Sequence, residues 1–350
     1  MSTATNEIEL RPAARLSGLR PYSTGSVRAG GALLLDANEG PGAPDAWLER
    51  FRSIDAEALR RYPRADALEA AIAERIGVDS ARVVVTAGCD DAIDRVCRVA
   101  LEPGRSLVVH TPTFEMITRG ARLAGGQVRS VQWFGGCFPI EAFESVISAE
   151  TGLVAIVSPN NPTGGIVGLE DAERVCRRAR AVGALVLVDL AYVEYAEEDP
   201  TQRLLEFDNV VVVRTFSKAY GLAGLRVGYA IASERVAGWL RTVGGPYPVS
   251  APGLAIAGMA WEAGMDAAYL ERVRCERERL RSRFLQNGIE VLDSQANFVL
   301  ARVDSGGLAD RGVVVRVFGG EFAAWSRITL PGEDASSARL MEALGEVCDG

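Results

Sequence analysis

The sequence predicts an α/β fold: a mostly parallel seven-stranded sheet with helices on both faces, followed by a smaller α+β unit. Two observations support this prediction. Short β-branched runs alternate with longer helical patterns through the first two thirds of the chain, which is typical of a parallel sheet. Several of these runs are apolar throughout, as expected for strands that helices cover on both faces.

Seven runs are predicted to form the strands of the main sheet. They are residues 83–86, 107–110, 127–133, 153–158, 184–189, 210–216 and 226–232. Helical segments that begin at Asp66, Asp90 and Glu170 lie between them. Each begins with acidic residues, and two end in glycine, which is typical of helix starts and stops. These segments therefore fit the crossover helices of a parallel sheet.

The rest of the chain is predicted to flank this larger unit, which spans residues 31–243. Residues 1–30 are polar, rich in Arg and Gly, and resemble an arm. Residues 242–261 are uncharged, but prolines break their first half, so we expect a turn and a buried helix rather than a membrane span. Residues 244–350 then form the smaller unit, with a helix over 271–288, strands at 289–294, 296–302, 313–318 and 327–330, and a closing helix from Ala335.

Composition excludes several classes of protein. The chain has 350 residues, 48% hydrophobic and 24% charged, which is globular rather than disordered composition. A net charge of −8 disfavours nucleic-acid and anionic-membrane partners. The six cysteines include no C-x-x-C pair, so neither a metal site nor a disulfide framework is predicted. The opening residues lack an apolar run, which favours a cytoplasmic protein.

The segment TFSKAYGLAGLRVGY, residues 215–229, carries the main chemical signal. Lys218 follows a strand among hydroxyl and small side chains. A lysine at the end of a core strand can form an imine with an aldehyde cofactor and later move a proton. Thr215, Ser217 and Arg226 could together bind a phosphate. Taken alone, the segment fits a surface turn equally well.

Three further segments end predicted strands with polar groups. SPNNPTGG (158–165) places amides after a strand, and VLVDLAY (186–192) ends a strand in Asp189, a carboxylate that needs a cationic partner if buried. TAGCDDAID (86–94) reads as the end of a strand, a glycine and the start of a helix. The free backbone N–H groups of such a helix start can bind an anion. Alternatively, the acidic residues only cap the helix. In an open α/β sheet these strand ends converge on one ligand.

These motifs give the chain a resemblance to a known family. It is similar to the fold type I pyridoxal-phosphate aminotransferases of classes I and II, and within them to the histidinol-phosphate aminotransferases. The resemblance extends from Arg20 to Leu330. Its motifs are LDANEGP, RYP, TAGCDDAID, TPTFEM, SPNNPTG, VDLAY, TFSKAYGLAGLRVGY, PYPVSAP, ANFVLAR and SRITL, in that order. Their common order and spacing are specific to the family.

The resemblance implies pyridoxal 5'-phosphate as the cofactor and assigns roles around it. Lys218 would be the Schiff-base lysine and general base, Asp189 the partner of the ring nitrogen, and Phe114 the side chain stacked on the ring. Asn161 and Tyr192 would bond the phenolic oxygen. The phosphate would be held by Gly88, Cys89, Asp90, Thr215, Ser217 and Arg226, and by Tyr62 from the neighbouring subunit of a homodimer.

The resemblance also implies the substrates, which are small molecules. Arg327 matches the arginine that binds the substrate's acidic group, Arg316 and Tyr22 match positions that hold a second phosphate, and Asn38 lies at the cofactor entrance. Alternatively, Arg316 and Tyr22 are ordinary strand-edge and arm surface. The implied reaction is transamination between L-histidinol phosphate and 2-oxoglutarate in histidine biosynthesis. The arm of residues 1–30 would pack on the smaller unit and on the dimer partner.

The chain departs from the family pattern at three places. Leu190 replaces the usual acidic residue, Cys89 the usual alanine, and Gly40-Pro41 the usual Asn-Pro. Leu190 and Gly40 are expected near the pocket, where they bear on substrate preference.

Other functions share this fold. An aromatic amino acid aminotransferase is one alternative, and a lyase of the threonine-phosphate decarboxylase type is a second. A ligand-sensing relative without turnover is a third, although such proteins normally append a DNA-binding domain.

Overall fold

A computed structural model describes residues 13–22 and 30–348. Eleven strands lie in this part of the chain: β1 Leu33–Leu35, β2 Val83–Thr86, β3 Ser106–Thr111, β4 Gln127–Gln132, β5 Thr151–Val157, β6 Leu185–Asp189, β7 Val210–Thr215, β8 Gly228–Ala232, β9 Phe298–Ala301, β10 Val313–Val317 and β11 Ser326–Thr329. They form two sheets, which confirms the predicted division into a larger parallel sheet and a smaller sheet.

Thirteen α-helices lie in the same part of the chain: α1 Asp45–Arg52, α2 Ala56–Arg60, α3 Asp66–Ile76, α4 Gly88–Ala100, α5 Glu115–Leu123, α6 Ile140–Val146, α7 Leu169–Ala181, α8 Thr201–Leu204, α9 Glu234–Val243, α10 Ala251–Ala263, α11 Ala267–Gln286, α12 Ser305–Asp310 and α13 Asp334–Cys348. Within these described residues, no helix is long and apolar enough to cross a membrane. The uncharged segment 242–261 forms a turn and α10, as predicted.

The larger sheet contains all seven predicted strands in the order β2-β8-β7-β6-β5-β3-β4. Only β8 runs antiparallel to its neighbours, so the other six strands end at the same edge. Along β7, Val211 and Val213 belong to one buried cluster and Val210 and Val212 to the other. This alternation shows that helices cover both faces, since successive side chains of a strand point to opposite faces.

Local sequence explains where several helices begin and end. α3 stops at Gly77, whose φ of 75° is a left-handed conformation that glycine adopts without strain. α11 starts at Asp266, whose carboxylate accepts the N–H groups of Ala268 and Tyr269 at 2.9 and 3.1 Å. α10 starts at Ser250 in the same way, with a 3.2 Å bond from Gly253.

The smaller sheet has the order β1-β10-β11-β9, and it differs from the sequence prediction in two respects. First, β1 pairs in parallel with β10, so a strand from the segment assigned to the larger unit joins the smaller sheet. Second, residues 289–294 do not form a strand. Val291 makes a single bridge to Ala301, because the Ser294 hydroxyl accepts the N–H of Ala296 and turns the chain.

Only part of the predicted N-terminal arm lies among the described residues. Residues 13–22 of the predicted arm are described, whereas residues 1–12 and 23–29 lie outside the described part of the chain. The division of the chain at residue 244 stays a prediction.

Candidate functional site

A cavity of about 460 Å³ lies where the carboxyl ends of the parallel strands face the smaller sheet. The residues predicted from the sequence line it, except for Gly88 and Tyr62. The predicted residues that line the cavity are Tyr22, Asn38, Cys89, Asp90, Phe114, Asn161, Asp189, Tyr192, Thr215, Ser217, Lys218, Arg226, Arg316 and Arg327. Such a convergence at the strand ends of an open α/β sheet is the usual place for a ligand.

Lys218 follows β7 and is the only lysine of the chain; the other 37 of the 38 basic residues are arginine. Its Nζ donates a 2.8 Å hydrogen bond to the carbonyl oxygen of Ala37. Burial, together with the positive charges of Arg327 and Arg226, lowers the pKa of Lys218 to about 8, against the opposing carboxylate of Glu39. Near neutral pH the amine is therefore poised to lose its proton and act as a nucleophile or base.

We expect the reactivity of this amine to rise with pH around a midpoint of about 8. Only the neutral amine attacks an acylating reagent, and an ordinary lysine reaches half-reactivity only near pH 10.4. Trace acetylation followed by peptide mass spectrometry measures this directly, because Lys218 is the only side-chain amine. A midpoint near that of an ordinary lysine would contradict the influence of burial and of the two arginines.

Asp189 ends β6 and is 3% exposed. Its Oδ1 accepts the N–H of Ala191 at 3.0 Å, and Oδ2 has no hydrogen-bond partner among the described residues. Burial raises the pKa of Asp189 to about 7, against the lowering effect of that backbone bond. A buried carboxylate in this state favours a cationic or proton-donating partner in the cavity.

A hydrogen-bonded group joins the two sheets across the cavity. The guanidinium of Arg327, on β11, donates to Asn161 Oδ1 at 2.5 Å and to the carbonyl of Asp36 at 2.6 Å. The hydroxyl of Tyr192 accepts from Asn38 Nδ2 at 3.0 Å, and burial raises the pKa of Tyr192 to about 12. Near neutral pH this tyrosine is therefore a neutral hydrogen-bond donor.

Asn38 is held in place by residues that the sequence did not single out. It is 1% exposed and adopts a left-handed φ of 53°. Its N–H donates to the hydroxyl of Thr329 at 3.0 Å, and that hydroxyl returns a 3.1 Å bond to Asn38 Oδ1. Nδ2 of Asn297 donates to the Asn38 carbonyl at 3.2 Å. A buried amide needs these partners, and they fix its direction.

The candidate phosphate site lies between the start of α4 and the chain after β7. Arg226 donates to Asp90 at 3.1 Å and to the Ser217 hydroxyl at 3.4 Å. The Thr215 hydroxyl accepts the Ser217 N–H at 3.0 Å. Gly88 lies beneath this group with a φ of 78°, and a Cβ there would come within 2.7 Å of Arg226. Hydroxyls, a guanidinium and a helix N-terminus are a donor set suited to a phosphate.

Two arginines lie next to each other on the smaller sheet. Arg316 on β10 is paired in register with Arg327 on β11, and both line the cavity. Arg327 is 7% exposed. Tyr22 also lines the cavity but is 45% exposed. The sequence missed several lining residues, among them Asp36, Ala37, Phe318 and Phe322.

Three other predicted positions lie away from the cavity surface. Tyr62 is 78% exposed and stacks on Tyr247 with ring centroids 4.7 Å apart. Leu190 is fully buried in the core and is not itself a lining residue, but it lies between Asp189 and Ala191, which both line the cavity. Gly40 is not a lining residue but packs against the Lys218 backbone. A Cβ at this position would therefore overlap the Lys218 carbonyl oxygen.

Comparisons with known proteins agree with this geometry. The family described as "Aminotransferase class I and II" matches residues 31–344. Histidinol-phosphate aminotransferase 2 of Pseudomonas aeruginosa is 36% identical over 332 residues, which cover 89% of this chain and 88% of that protein. Histidinol-phosphate aminotransferase of Methanococcoides burtonii is 35% identical, covering 85% of this chain and 82% of that protein.

A solved structure extends the comparison to three dimensions. Histidinol-phosphate aminotransferase from Sinorhizobium meliloti, in complex with pyridoxal-5'-phosphate, superimposes with a TM-score of 0.79 at 27% identity, covering 91% of each chain. The family match spans most of the chain, and the relatives exceed 30% identity over most of their length. The chain belongs to the class I and II aminotransferase family.

Proposed function

We propose that this aminotransferase moves the amino group between L-histidinol phosphate and 2-oxoglutarate, as a cytoplasmic homodimer that serves histidine biosynthesis. Pyridoxal 5'-phosphate is the cofactor of the family. The observation that carries the proposal is the pair Arg316 and Arg327, which line the same cavity as Lys218 but lie on the other sheet. Two guanidinium groups suit a phosphate on the substrate, in addition to the phosphate site at Arg226.

The residues present fit the cofactor. Asp189 has an oxygen without a partner for a protonated ring nitrogen, and Lys218 supplies an amine for the aldehyde. The hydroxyls of Thr215 and Ser217 and the Arg226 guanidinium supply the donors that a phosphate needs. When bound, pyridoxal 5'-phosphate supplies an aldehyde that links to amines and a ring that withdraws electrons from the substrate's α-carbon.

The chain's own residues then have defined tasks. Asp189 would hold a negative charge against the ring nitrogen and favour its protonated form. Asn161 and Tyr192 would hydrogen-bond the phenolic oxygen, and Phe114 would pack on the ring. The amine of Lys218, with its pKa near 8, would take the proton from the substrate carbon that bears the amino group and, as the ammonium, would deliver it to the aldehyde carbon of the cofactor. Arg327 holds the substrate's acidic group while this proton moves.

Lys218 is the only strong candidate for this base among the described residues. The chain's single histidine, His110, is fully buried outside the cavity lining, and its Nε2 accepts the Val157 N–H at 3.1 Å. Burial lowers the pKa of His110 to about 3. This side chain is therefore a neutral structural residue.

Replacing Gly40 by alanine is expected to lower cofactor affinity by about tenfold or more, because the new methyl group must push the Lys218 backbone aside. Gly42→Ala is the matched control, since a Cβ at Gly42 meets nothing within 4 Å. Titration of each apoprotein with pyridoxal 5'-phosphate, followed by absorbance, measures the affinity. Equal affinities in the two variants would show that Gly40 does not position Lys218.

The substrate proposal is tested by comparing kcat/KM for three amino donors with 2-oxoglutarate as the acceptor. We expect L-histidinol phosphate to exceed L-phenylalanine, and O-phosphothreonine to give no carbon dioxide. Arg316→Gln should raise KM for histidinol phosphate by about tenfold and leave the value for phenylalanine nearly unchanged, because only the phosphate uses the second guanidinium. Equal losses for both donors would contradict a phosphate-binding task for Arg316.

An aromatic amino acid aminotransferase is the second candidate, and one observation favours it. Phe318 and Phe322 line the cavity, and Phe134 stacks on Phe322 and meets Trp325 edge-on, with centroids 5.1 and 4.9 Å apart. This aromatic wall suits a flat, apolar side chain such as phenyl. Preference for phenylalanine in the experiment above would replace the first proposal with this one.

The homodimer proposal rests on exposed apolar side chains. These side chains are between 48% and 78% exposed: Leu48 and Phe51 on α1, Leu59 on α2, and the stacked Tyr62 and Tyr247. Both α1 and α2 pack on α10, so these side chains belong to one region of the surface. Apolar groups exposed together are typical of an interface. A neighbouring subunit on this region would allow Tyr62 to reach the partner's cofactor phosphate.

Mixed dimers test this arrangement. We expect Lys218→Ala to be inactive and Tyr62→Ala to bind cofactor about tenfold more weakly. A heterodimer of the two, isolated by two affinity tags, contains one unaltered site if Tyr62 acts across the interface, and its activity should return to about half that of the unmodified dimer. At a cofactor concentration that leaves the Tyr62→Ala dimer largely empty, no recovery would place Tyr62 in its own subunit's site. Unchanged cofactor affinity of the Tyr62→Ala dimer would place Tyr62 outside the site.

A further inference from the structure

A second cavity lies in the smaller unit, between α11 and α13. It measures about 530 Å³ and shares no lining residue with the cofactor cavity. We call it the α11–α13 groove and define it by Arg272, Cys275, Glu276 and Arg279 of α11, Gly332, and Ser337 of α13. Because the α11 residues are spaced by three and four, they lie along one face of the helix.

Glu276 is the unusual member of this groove. It is 6% exposed, and its Oε2 accepts the N–H of Gly332 at 2.9 Å. Its Oε1 is buried and has no hydrogen-bond partner among the described residues. A buried carboxylate oxygen without a donor is unfavourable, so such groups are normally satisfied by a partner. Glu276 therefore favours a positively charged donor in the groove.

The flanking arginines favour the opposite charge. Arg272 donates its Nε to the Gly332 carbonyl at 3.0 Å, and one of its terminal nitrogens lies 3.8 Å from Asp266. Arg279 makes no hydrogen bond or ion pair with any described residue. The Ser337 hydroxyl is likewise without a side-chain partner in the described part of the chain. Two guanidinium groups and a hydroxyl are a donor set for a carboxylate.

The charges of Glu276 and of the two arginines together decide which ligand fits the groove. A simple cation attracted by Glu276 is repelled by Arg272 and Arg279, and a simple anion is repelled by Glu276 and by Asp334, which also lines the groove. A ligand that carries an ammonium and a carboxylate a few ångströms apart satisfies both. We propose that the α11–α13 groove binds a free α-amino acid, with the ammonium toward Glu276 and the carboxylate toward Arg272 and Arg279.

Cys275 makes the groove directly observable. Of the described cysteines, Cys275 and Cys137 are exposed, and only Cys275 lines the groove. We would alkylate the cofactor-loaded enzyme with iodoacetamide at about pH 8.5, near the usual pKa of a thiol, and follow both peptides by mass spectrometry. L-Alanine is the probe, with acetate and ethylamine as single-charge controls.

We expect saturating L-alanine to slow alkylation of Cys275 by about threefold or more, since a covered thiol reacts more slowly, and to leave Cys137 unchanged. Acetate and ethylamine should not protect. Amino acids also bind the catalytic cavity, so variants are needed to show that the protection comes from the α11–α13 groove. Glu276→Gln and Arg279→Gln, the latter at an exposed position, should each remove the protection. Glu278→Gln, at a neighbouring exposed position, should keep it.

Three outcomes would overturn the proposal. They are no protection of Cys275, equal protection of Cys137, or protection that survives both Glu276→Gln and Arg279→Gln. Should Glu276→Gln fail to fold, judged by near-ultraviolet circular dichroism, Arg279→Gln alone decides the result. Transamination activity does not enter the measurement, so its outcome is independent of the proposed catalytic function.

Discussion

Lys218→Ala is expected to lower transamination by about 10⁴-fold, the largest effect of any single substitution in this chain, because one amine carries both the covalent attachment and the proton transfer. The cavity offers no substitute among the described residues. The single histidine is buried outside it, and every other basic side chain is arginine, which stays protonated. Steady-state rates with L-histidinol phosphate and 2-oxoglutarate measure the loss.

Lys218→Arg is the matched control for charge. It keeps a cation at this position but removes the nucleophile, so we expect it to be as inactive as Lys218→Ala. Borohydride treatment of the cofactor-loaded protein adds a direct readout, since Lys218 is the only side chain able to link to the cofactor. Mass spectrometry should find the modification at Lys218 in the unmodified chain and at no side chain in either variant. A modified Lys218→Ala protein would contradict the assignment.

Asp189→Asn is expected to lower kcat by about 10²–10³-fold, because a neutral amide no longer stabilises the positive charge of the cofactor's ring nitrogen. The same substitution should make the cofactor-free protein more stable at about pH 8. Burial raises the pKa of Asp189 from 3.8 to about 7, so the folded state binds a proton that the unfolded state has released between these values. Stability therefore falls as pH rises through this window, and asparagine removes that loss.

The size of the stability effect follows from the pKa. A shift of about three units corresponds to an upper limit on the order of 4 kcal/mol. Thermal unfolding of both cofactor-free proteins at about pH 4 and about pH 8 measures it, with a difference expected only at the higher pH. The unmodified chain should also gain more stability from pyridoxal 5'-phosphate at about pH 8 than Asp189→Asn does. A variant that is less stable than the unmodified chain at both pH values would contradict the buried, unpaired carboxylate.

Sequence patterns predicted the larger sheet closely because its strands are apolar on both faces and are separated by helices with clear ends. Asp189 and Lys218 could be placed for the same reason, since each follows a strand whose direction the pattern defines. The single lysine is a further signal in the sequence, because a residue type found at one position beside 37 arginines marks that position.

The remaining features depend on contacts between distant segments, which no local pattern contains. Thr329 supports Asn38 across 291 positions of chain, and the Ala37 carbonyl accepts the bond from Lys218 across 181. β1 joins the smaller sheet through pairing with β10, which its short apolar sequence does not specify. Residues 289–294 have strand-like composition, but the turn at Ser294 leaves them only one bridge.

The most direct test of the proposed function is a half-reaction followed in the visible spectrum. Purified protein saturated with pyridoxal 5'-phosphate would be mixed with L-histidinol phosphate, L-phenylalanine or O-phosphothreonine, without any keto acid. We predict that histidinol phosphate converts the cofactor to pyridoxamine phosphate at the lowest concentration. Conversion by phenylalanine while histidinol phosphate is inert would contradict the proposed substrate and leave the cofactor chemistry of Lys218 in place.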